Sequence, residues 1–377
     1  MKIAIMEAIV GSGGHEVEHD RQIIEELLAL GHAVELYVPE GAPITFDYGI
    51  PVNHLPGEGV SYVGVTGLKK IWLSAKREVN RLRWFKSLYR QAVAGKFDAV
   101  IFPTATYRSL RSLNRSILRR SPVPVIFCVI GVTPEEGPHF FREVEKLVSY
   151  KNIKIAVVSM LDHVLNRKLP NVYCIKPAIY LPRDIEYQPS FKKTGKLIIG
   201  FFGQYRREKK VEDFMEAFTA CKFTQEVELV LQTVAIKPKD LAALEAMKNK
   251  YRSQPNITFF EKAVYGKTWQ QTIAGMDAII IPYAAPRFRY HGSGMLLTAI
   301  GLYKPVVIAD EVWPELLAEY DIGITYQTGN KAALTAALET FVDTYFAKTT
   351  QYEAGLKQVN EDFSPRRMAE DFIKLVR

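Results

Sequence analysis

The chain has 377 residues, a formal charge of +8, 48% apolar residues and 24% charged ones. That length exceeds what one hydrophobic core ordinarily serves, so two domains are expected. The composition is that of a soluble globular protein, and no apolar run approaches the roughly 18 residues of a spanning helix.

Short apolar runs alternate with amphipathic stretches along the chain, which predicts βαβ units and parallel sheet. KIAIMEAIV reads as a first strand without a signal peptide's cleavage region, followed by a GSGGHE loop. EHDRQIIEELLAL then predicts a helix with Ile23, Ile24, Leu27, Leu28 and Leu30 on one side, closed by Gly31. AVELYVP, FDAVIFP, PVPVIFCVIGV and IKIAVVS continue the strand series. A second series runs KLIIGFFG, VELVLQTV, ITFF, DAIIIPY, PVVIAD and IGITY. Between the two lies YLPRDIEYQPSFKKTGK, proline-bearing and weakly periodic, which reads as the linker of two doubly wound domains. Cys128, Cys174 and Cys221 are scattered, which suits a reducing cytoplasm and argues against a disulfide framework.

Doubly wound domains bind small molecules at the carboxyl ends of their strands. A dinucleotide fingerprint fails here, because Glu16 falls where the third glycine of Gly11-Ser12-Gly13-Gly14-His15-Glu16 belongs. No nucleoside-triphosphate loop of the form G-x-x-x-x-G-K-[ST] occurs either. The opening of the second series, GFFGQYRREKKVEDFMEAF, places Arg206 and Lys209 in a strand–helix loop. Arg206 can hold phosphate oxygens with a forked guanidinium, and Lys209 can add a point charge; a solvated basic turn is the competing reading. Further on, His291-Gly292-Ser293-Gly294 precedes an apolar helix, whose first amides form an anion site that a Cβ does not obstruct. His15 is a crevice candidate in the first domain, while His139 fits a solvated turn.

With these motifs in this order, the chain resembles the GT-B glycosyltransferases of family 4, the glycosyl transferases group 1. The family's G-x-x-R-x-x-K-G loop is matched by Gly203, Arg206 and Lys209, with Lys210 in place of the last glycine. DAIIIPY at 277–283 matches its D-[ACV]-x-[IVL]-x-P element. Its E-G-x-G loop, helix and K-P-V-[VI] strand are matched by Tyr290 to Met295, Thr298-Ala299 and Lys304-Pro305-Val306-Val307. The paired family glutamates fall on Tyr290 and Thr298, and the family's first-domain histidine has no counterpart in CVIGVTPEEG.

The resemblance implies an α/β chain of GT-B architecture, two Rossmann-like domains facing across a crevice. It implies an acceptor-binding domain at 1–184, a nucleotide-sugar domain at 195–358, and a helix at 359–377 crossing back to the first. It implies a retaining hexosyltransferase that passes a sugar from a nucleotide-diphosphate donor to a saccharide or lipid-linked acceptor. Arg206 and Lys209 would be catalytic. Gly13, Gly14, His15, Gly203, Tyr290, His291, Gly292, Ser293, Gly294, Met295 and Thr298 would bind the donor. No D-x-D occurs and the histidines do not cluster, so neither a metal nor a resident cofactor is expected. A nucleotide-sugar 2-epimerase and an inert nucleotide-sugar-binding subunit remain as alternatives.

The excess charge concentrates in residues 67–96, GLKKIWLSAKREVNRLRWFKSLYRQAVAGK, with Trp72, Trp84, Phe85 and Leu88 interleaved. Arg108, Arg111, Arg115 and Arg119 then recur at helical spacing. A basic helix carrying tryptophan points to an anionic membrane surface at the cytoplasmic face. A solvated helix face is the competing reading. No nucleic-acid module accompanies the charge.

Overall fold

Strands that are apolar on both faces must be covered on both, and this chain does so in two units, here given as a computed structural model. It describes residues 1–8, 15–44, 46–62, 65–160, 167–235, 237–260, 264 and 266–377, with backbone alone at 15, 238 and 239. The Gly13 and Gly14 expectations, and the His15 side chain, lie outside the described residues.

Unit 1 comprises Met1–Ala178 and Pro365–Arg377. Its elements are β1 (Lys2–Met6), α1 (His15–Ala29), β2 (Ala33–Glu40), β3 (Val52–Glu58) and α2 (Gly67–Val93), then β4 (Ala99–Ala105) and α3 (Tyr107–Leu113). β5 (Val125–Ile130), α4 (Gly137–Glu145), β6 (Ile153–Val158) and β7 (Val172–Ile175) complete the first pass. All seven strands are parallel, in the order β3-β2-β1-β4-β5-β6-β7. The order reverses between β1 and β4. β3 and β7 add to the sequence reading: VNHLPGE holds a proline and a glycine, and VYCI is only four residues long.

Unit 2 comprises Ile179–Ser364. It runs β8 (Leu197–Gln204), α5 (Val211–Ala220), β9 (Val227–Val234), α6 (Pro238–Tyr251), β10 (Ile257–Phe260), α7 (Gly266–Ala274) and β11 (Ala278–Ile281). Then follow α8 (Arg287–His291), α9 (Gly294–Gly301), β12 (Val306–Ala309), α10 (Pro314–Glu319), β13 (Gly323–Tyr326) and α11 (Lys331–Asp362). Its six parallel strands take the order β10-β9-β8-β11-β12-β13, reversing between β8 and β11. Asp277 fixes that central pair. Its carboxylate accepts from the Ile198 amide at 2.7 Å and pairs with Lys192 at 2.7 Å, while its own amide donates to the Ile198 carbonyl. Residues 179–196 form no regular element but are tied to unit 2, through Tyr187 Oη on the Leu302 carbonyl and the Asp184 amide on Gln270.

The last helix, α12 (Pro365–Val376), belongs to unit 1. Proline opens it at a position where a missing N–H costs nothing. Met368, Ala369, Phe372 and Ile373, at helical spacing, pack with Ile23, Ile24 and Leu27 of α1 in one core cluster. Leu28, expected on that same side, is instead 40% exposed, because it has rotated past the edge of the buried stripe. Phe372→Ala should therefore cost about 3–5 kcal/mol of unit 1 stability. Hydrogen exchange would show faster opening of β1 and β5 amides and no change in β8 and β11.

Candidate functional site

At the reversal point of unit 2, the penultimate residue of β8 is Gly203 (φ +123°), a backbone that favours glycine. The Gly203 amide donates to buried Gln232 at 3.3 Å. Arg207–Lys209 then make one 3-10 turn, and Lys210 (φ 51°, ψ 40°) sends the chain into α5. Lys210 thus keeps the left-handed conformation in which the resembling family has glycine.

This turn folds the Lys209 side chain back over the strand end. Its Nζ lies 2.5 Å from where a Gly203 Cβ would stand, and 4.8 Å from the Tyr283 ring centroid beyond β11. A Cβ at Gly203 would displace the ammonium from this place. Among the described residues no carboxylate pairs with Lys209. Arg206 is half-exposed and spread across Gln204 Oε1, at 3.1 Å from Nε and 2.5 Å from Nη2, with Glu208 at 3.7 Å. Glu208 joins the loop to the next strand exit: its carbonyl accepts from the Ala284 amide at 2.8 Å and its carboxylate pairs with Arg287 at 2.6 Å.

α8 carries Tyr290 and His291, both half-buried. Gly292 (φ 63°, ψ −160°) lies flat on the indole of Trp313, and any Cβ there would overlap the ring. Trp313 is itself buried and left-handed (φ 45°), and Glu315 beside it grips Arg289 of α8 at 2.5 Å. Ser293 is buried and caps α9, its Oγ accepting from the Leu296 amide at 3.3 Å. The first-turn amides of Gly294 and Met295 have no acceptor within the helix. Thr298 donates its hydroxyl to the Gly294 carbonyl at 2.8 Å, leaving its oxygen as an acceptor only. Met295 is buried in the helix packing. The first of the two sequence loops is thus tied to the exit of β11 and the start of α8, through Lys209 over Tyr283 and the bonds of Glu208 to Ala284 and Arg287. Lys304, in the K-P step that follows, is buried: its Nζ donates to the Ala274 carbonyl at 2.7 Å, and burial pushes its ammonium down to about 8. It holds α7 to the end of α9.

Unit 1 has a matching feature at its own reversal point, which sequence reasoning missed. Glu7 follows β1, is 2% exposed, and accepts from Thr104 Oγ1 of β4 with both oxygens, at 2.7 and 2.6 Å. Burial, and then the charge of Glu7, hold the carboxyl of Asp20 on α1 well above the usual carboxylate range. A lone carboxylate closing the otherwise apolar run KIAIM was the available signal. His139 lies exposed on α4, stacked on Tyr107 at 5.7 Å.

The basic stretch forms the single helix α2, but its faces differ from the expectation. Trp84, Phe85 and Leu88 are buried in the unit 1 core, and Trp84 Nε1 donates to the Gly57 carbonyl at 3.0 Å. The exposed stripe is instead Leu68, Ile71, Trp72, Ala75 and Val79, continued by Arg83, Lys86 and Arg90. These positions recur every three or four residues, one side of a helix. Arg115 and Arg119 lie past the end of α3 and do not extend its face.

The chain matches no family model, and no curated protein matches it in sequence. Solved structures do resemble it. Alr3699/HepE of Anabaena, crystallised with UDP and glucose, is 15% identical with a TM-score of 0.68, covering 99% of this chain and 98% of that one. Sucrose-phosphate synthase of Thermosynechococcus elongatus is 14% identical with a TM-score of 0.69, over 100% and 98%. The catalytic domain of starch synthase IV of Arabidopsis thaliana, bound to ADP and acarbose, is 11% identical with a TM-score of 0.69, over 100% and 98%. At these identities the likeness is one of fold: two Rossmann-like units, the GT-B fold.

A left-handed non-glycine residue costs about 1–2 kcal/mol. Lys210 offsets little of this through its exposed pair with Asp213 at 3.3 Å. Lys210→Gly should therefore stabilise the protein by about 1 kcal/mol, read as a higher urea midpoint at unchanged slope.

Proposed function

We propose that this protein is a glycosyltransferase that moves a sugar from a nucleoside-diphosphate donor to an acceptor hydroxyl, with retention of configuration and without a metal ion. Lys209 carries the reading: an ammonium held between a bare glycine Cα and an aromatic face, unpaired by any carboxylate among the described residues. Such a charge is placed for an anion that arrives from outside. The diphosphate would lie on Lys209, on the Arg206 fork and on the amides that open α9. Gly203 and Gly292 admit it closely, and Gly13, Gly14, His15, Tyr290, His291, Ser293, Gly294, Met295 and Thr298 complete donor binding. UDP in the HepE structure and ADP in the starch synthase support a nucleoside diphosphate as the leaving group.

The chemistry needs little from side chains. As the bond from the anomeric carbon to the β-phosphate oxygen breaks, negative charge grows on that phosphate. A donor fixed in advance at such an oxygen is worth about 2.7–4 kcal/mol. The acceptor oxygen forms its bond on the same face of the sugar, and its proton passes to the departing phosphate. No step then requires a base from the protein, and Tyr290 and Thr298 are left to orient the donor by hydrogen bonds.

The acceptor would be a saccharide or a lipid-linked one, met at an anionic membrane surface on its cytoplasmic side. The α2 stripe favours this. Leu68, Ile71 and Trp72 are 84%, 67% and 61% exposed, and a run of cations follows them on the same side. Among the described residues no helix is long and apolar enough to cross a membrane.

Arg206→Ala and Lys209→Ala should each weaken UDP binding by about 1.5–3 kcal/mol in calorimetric titration. Unchanged affinity in both folded variants would overturn the diphosphate assignment. With a nucleotide-sugar panel and membrane extract, NMR should show a product of the donor's own anomeric configuration, formed equally in excess chelator. A 2-epimer would mark an epimerase instead, and binding without turnover an inert subunit. For the surface, Trp72→Ala and Arg83→Gln/Lys86→Gln/Arg90→Gln should reduce co-sedimentation with anionic vesicles, each cation contributing about 1 kcal/mol. Salt should release the parent protein as the screening length falls from about 10 Å at 0.1 M to about 3 Å at 1 M. Trp84→Phe should leave vesicle binding unchanged.

A further inference from the structure

Where α2 meets α3, three arginines surround a single carboxylate oxygen. Glu78 Oε1 lies 2.9 Å from Arg81 Nη1, 3.7 Å from Arg111 Nη2 and 3.9 Å from Arg77 Nε. Glu78 Oε2 is already occupied by the Ser112 hydroxyl at 2.6 Å. The second and third arginine distances are too long for hydrogen bonds, so Glu78 satisfies only Arg81.

We infer that Arg77, Arg81 and Arg111 form a site for a dianionic phosphate group, either a phosphomonoester or inorganic phosphate. Three guanidinium charges against one carboxylate leave two in excess, the charge of a phosphate monoester at neutral pH. Arg77 Nε and Arg111 Nε are shielded from water and have no acceptor among the described residues. A buried donor without an acceptor costs about 1–3 kcal/mol, so two on arginines that flank one carboxylate call for a further partner. The guanidinium planes are held in advance. Arg81 is 11% exposed and bonds both Ser112 Oγ, at 3.1 Å, and the Arg108 carbonyl, while Arg77 lies 5.0 Å over the Tyr62 ring. Arg111, 40% exposed, keeps the niche open to solvent. A forked, planar donor set suits phosphate oxygens better than a diffuse patch of lysines does. Glu78 then sets selectivity, since it repels a third negative charge and orients the arginines before the ligand arrives.

The inference does not rest on the proposed diphosphate contacts, Arg206, Lys209 and the opening of α9, which lie in unit 2. Inorganic phosphate, titrated against chloride at matched ionic strength, should raise the melting temperature of the parent protein saturably. The same rise should appear in Lys209→Ala, where a diphosphate site would be impaired. It should fall by about tenfold or more in apparent affinity in Arg77→Gln and in Arg111→Gln. Arg111→Lys keeps the charge and loses the fork, and should lie between. Vesicles of phosphatidylcholine with phosphatidic acid, or with phosphatidylglycerol at equal charge, separate the sources. Preference for phosphatidic acid, lost in Arg111→Gln, identifies a lipid headgroup; a phosphate response without that preference identifies a soluble phosphorylated ligand. A response equal in the parent and both glutamine variants, with no preference between the vesicles, would overturn the inference.

Discussion

In a parallel sheet every strand must be followed by a crossover, so all the loops that leave carboxyl ends gather along one edge. The winding can change direction only where two strands part their loops to opposite faces, and a gap opens there. In each unit that constraint marks one position. In unit 2 the gap lies between β8 and β11, and Gly203, Lys209 and Tyr283 stand at it. In unit 1 it lies between β1 and β4, marked by Glu7 and Thr104. One edge holds a cation that no carboxylate pairs among the described residues, and the other a buried acid. The chemistry differs, but the sheet made room for both in the same way.

Most of the strands and their parallel sheets could be anticipated, because apolar runs of this length between amphipathic stretches read as βαβ units. What stayed hidden was anything decided by which face of an element the core takes. α2 shows why. It has large apolar residues on opposite sides, Trp72 and Val79 against Trp84, Phe85 and Leu88, and sequence spacing treats both sets alike. Packing against β3 and α3 selects the second set and leaves the first in water. The short strands β3 and β7 were illegible for another reason. A proline and a glycine in one, and a length of four residues in the other, remove the periodic signal. In unit 2 the loops named from sequence are held by bonds of Glu208 and by the indole of Trp313, which could not be read. Those bonds are tertiary and leave no pattern in spacing.

Charge follows the same division. A formal excess of +8 suggests one diffuse basic surface, but the cations have separate duties. Lys304 is spent inside the fold on a carbonyl, at the cost of much of its basicity. Lys192 is paired with Asp277 to hold β8 and β11 together. Arg83, Lys86 and Arg90 face water along α2. Arg77, Arg81 and Arg111 crowd one carboxylate, and Lys209 has none among the described residues. In these last two groups positive charge stands in a partly shielded place, where a fixed anion gains most.

Backbone strain marks the same places independently of charge. Among the described residues three that are not glycine have positive φ: Lys210, Tyr303 and Trp313. Each costs on the order of 1–3 kcal/mol, and such residues persist only where their surroundings over-determine them. All three lie in unit 2, at the entry to α5, just past the end of α9, and under the glycine that precedes α9. Random strain would not bracket two particular helices. Lys210 turns the chain so that Lys209 folds back over Gly203. Trp313 presents a flat indole on which Gly292 can rest, so that α9 begins where it does. The strain therefore fixes the origins of two helices, and with them the directions of one ammonium and of the first free amides. For the diphosphate proposed above, directions settled before binding would lower the cost of ordering the protein around it.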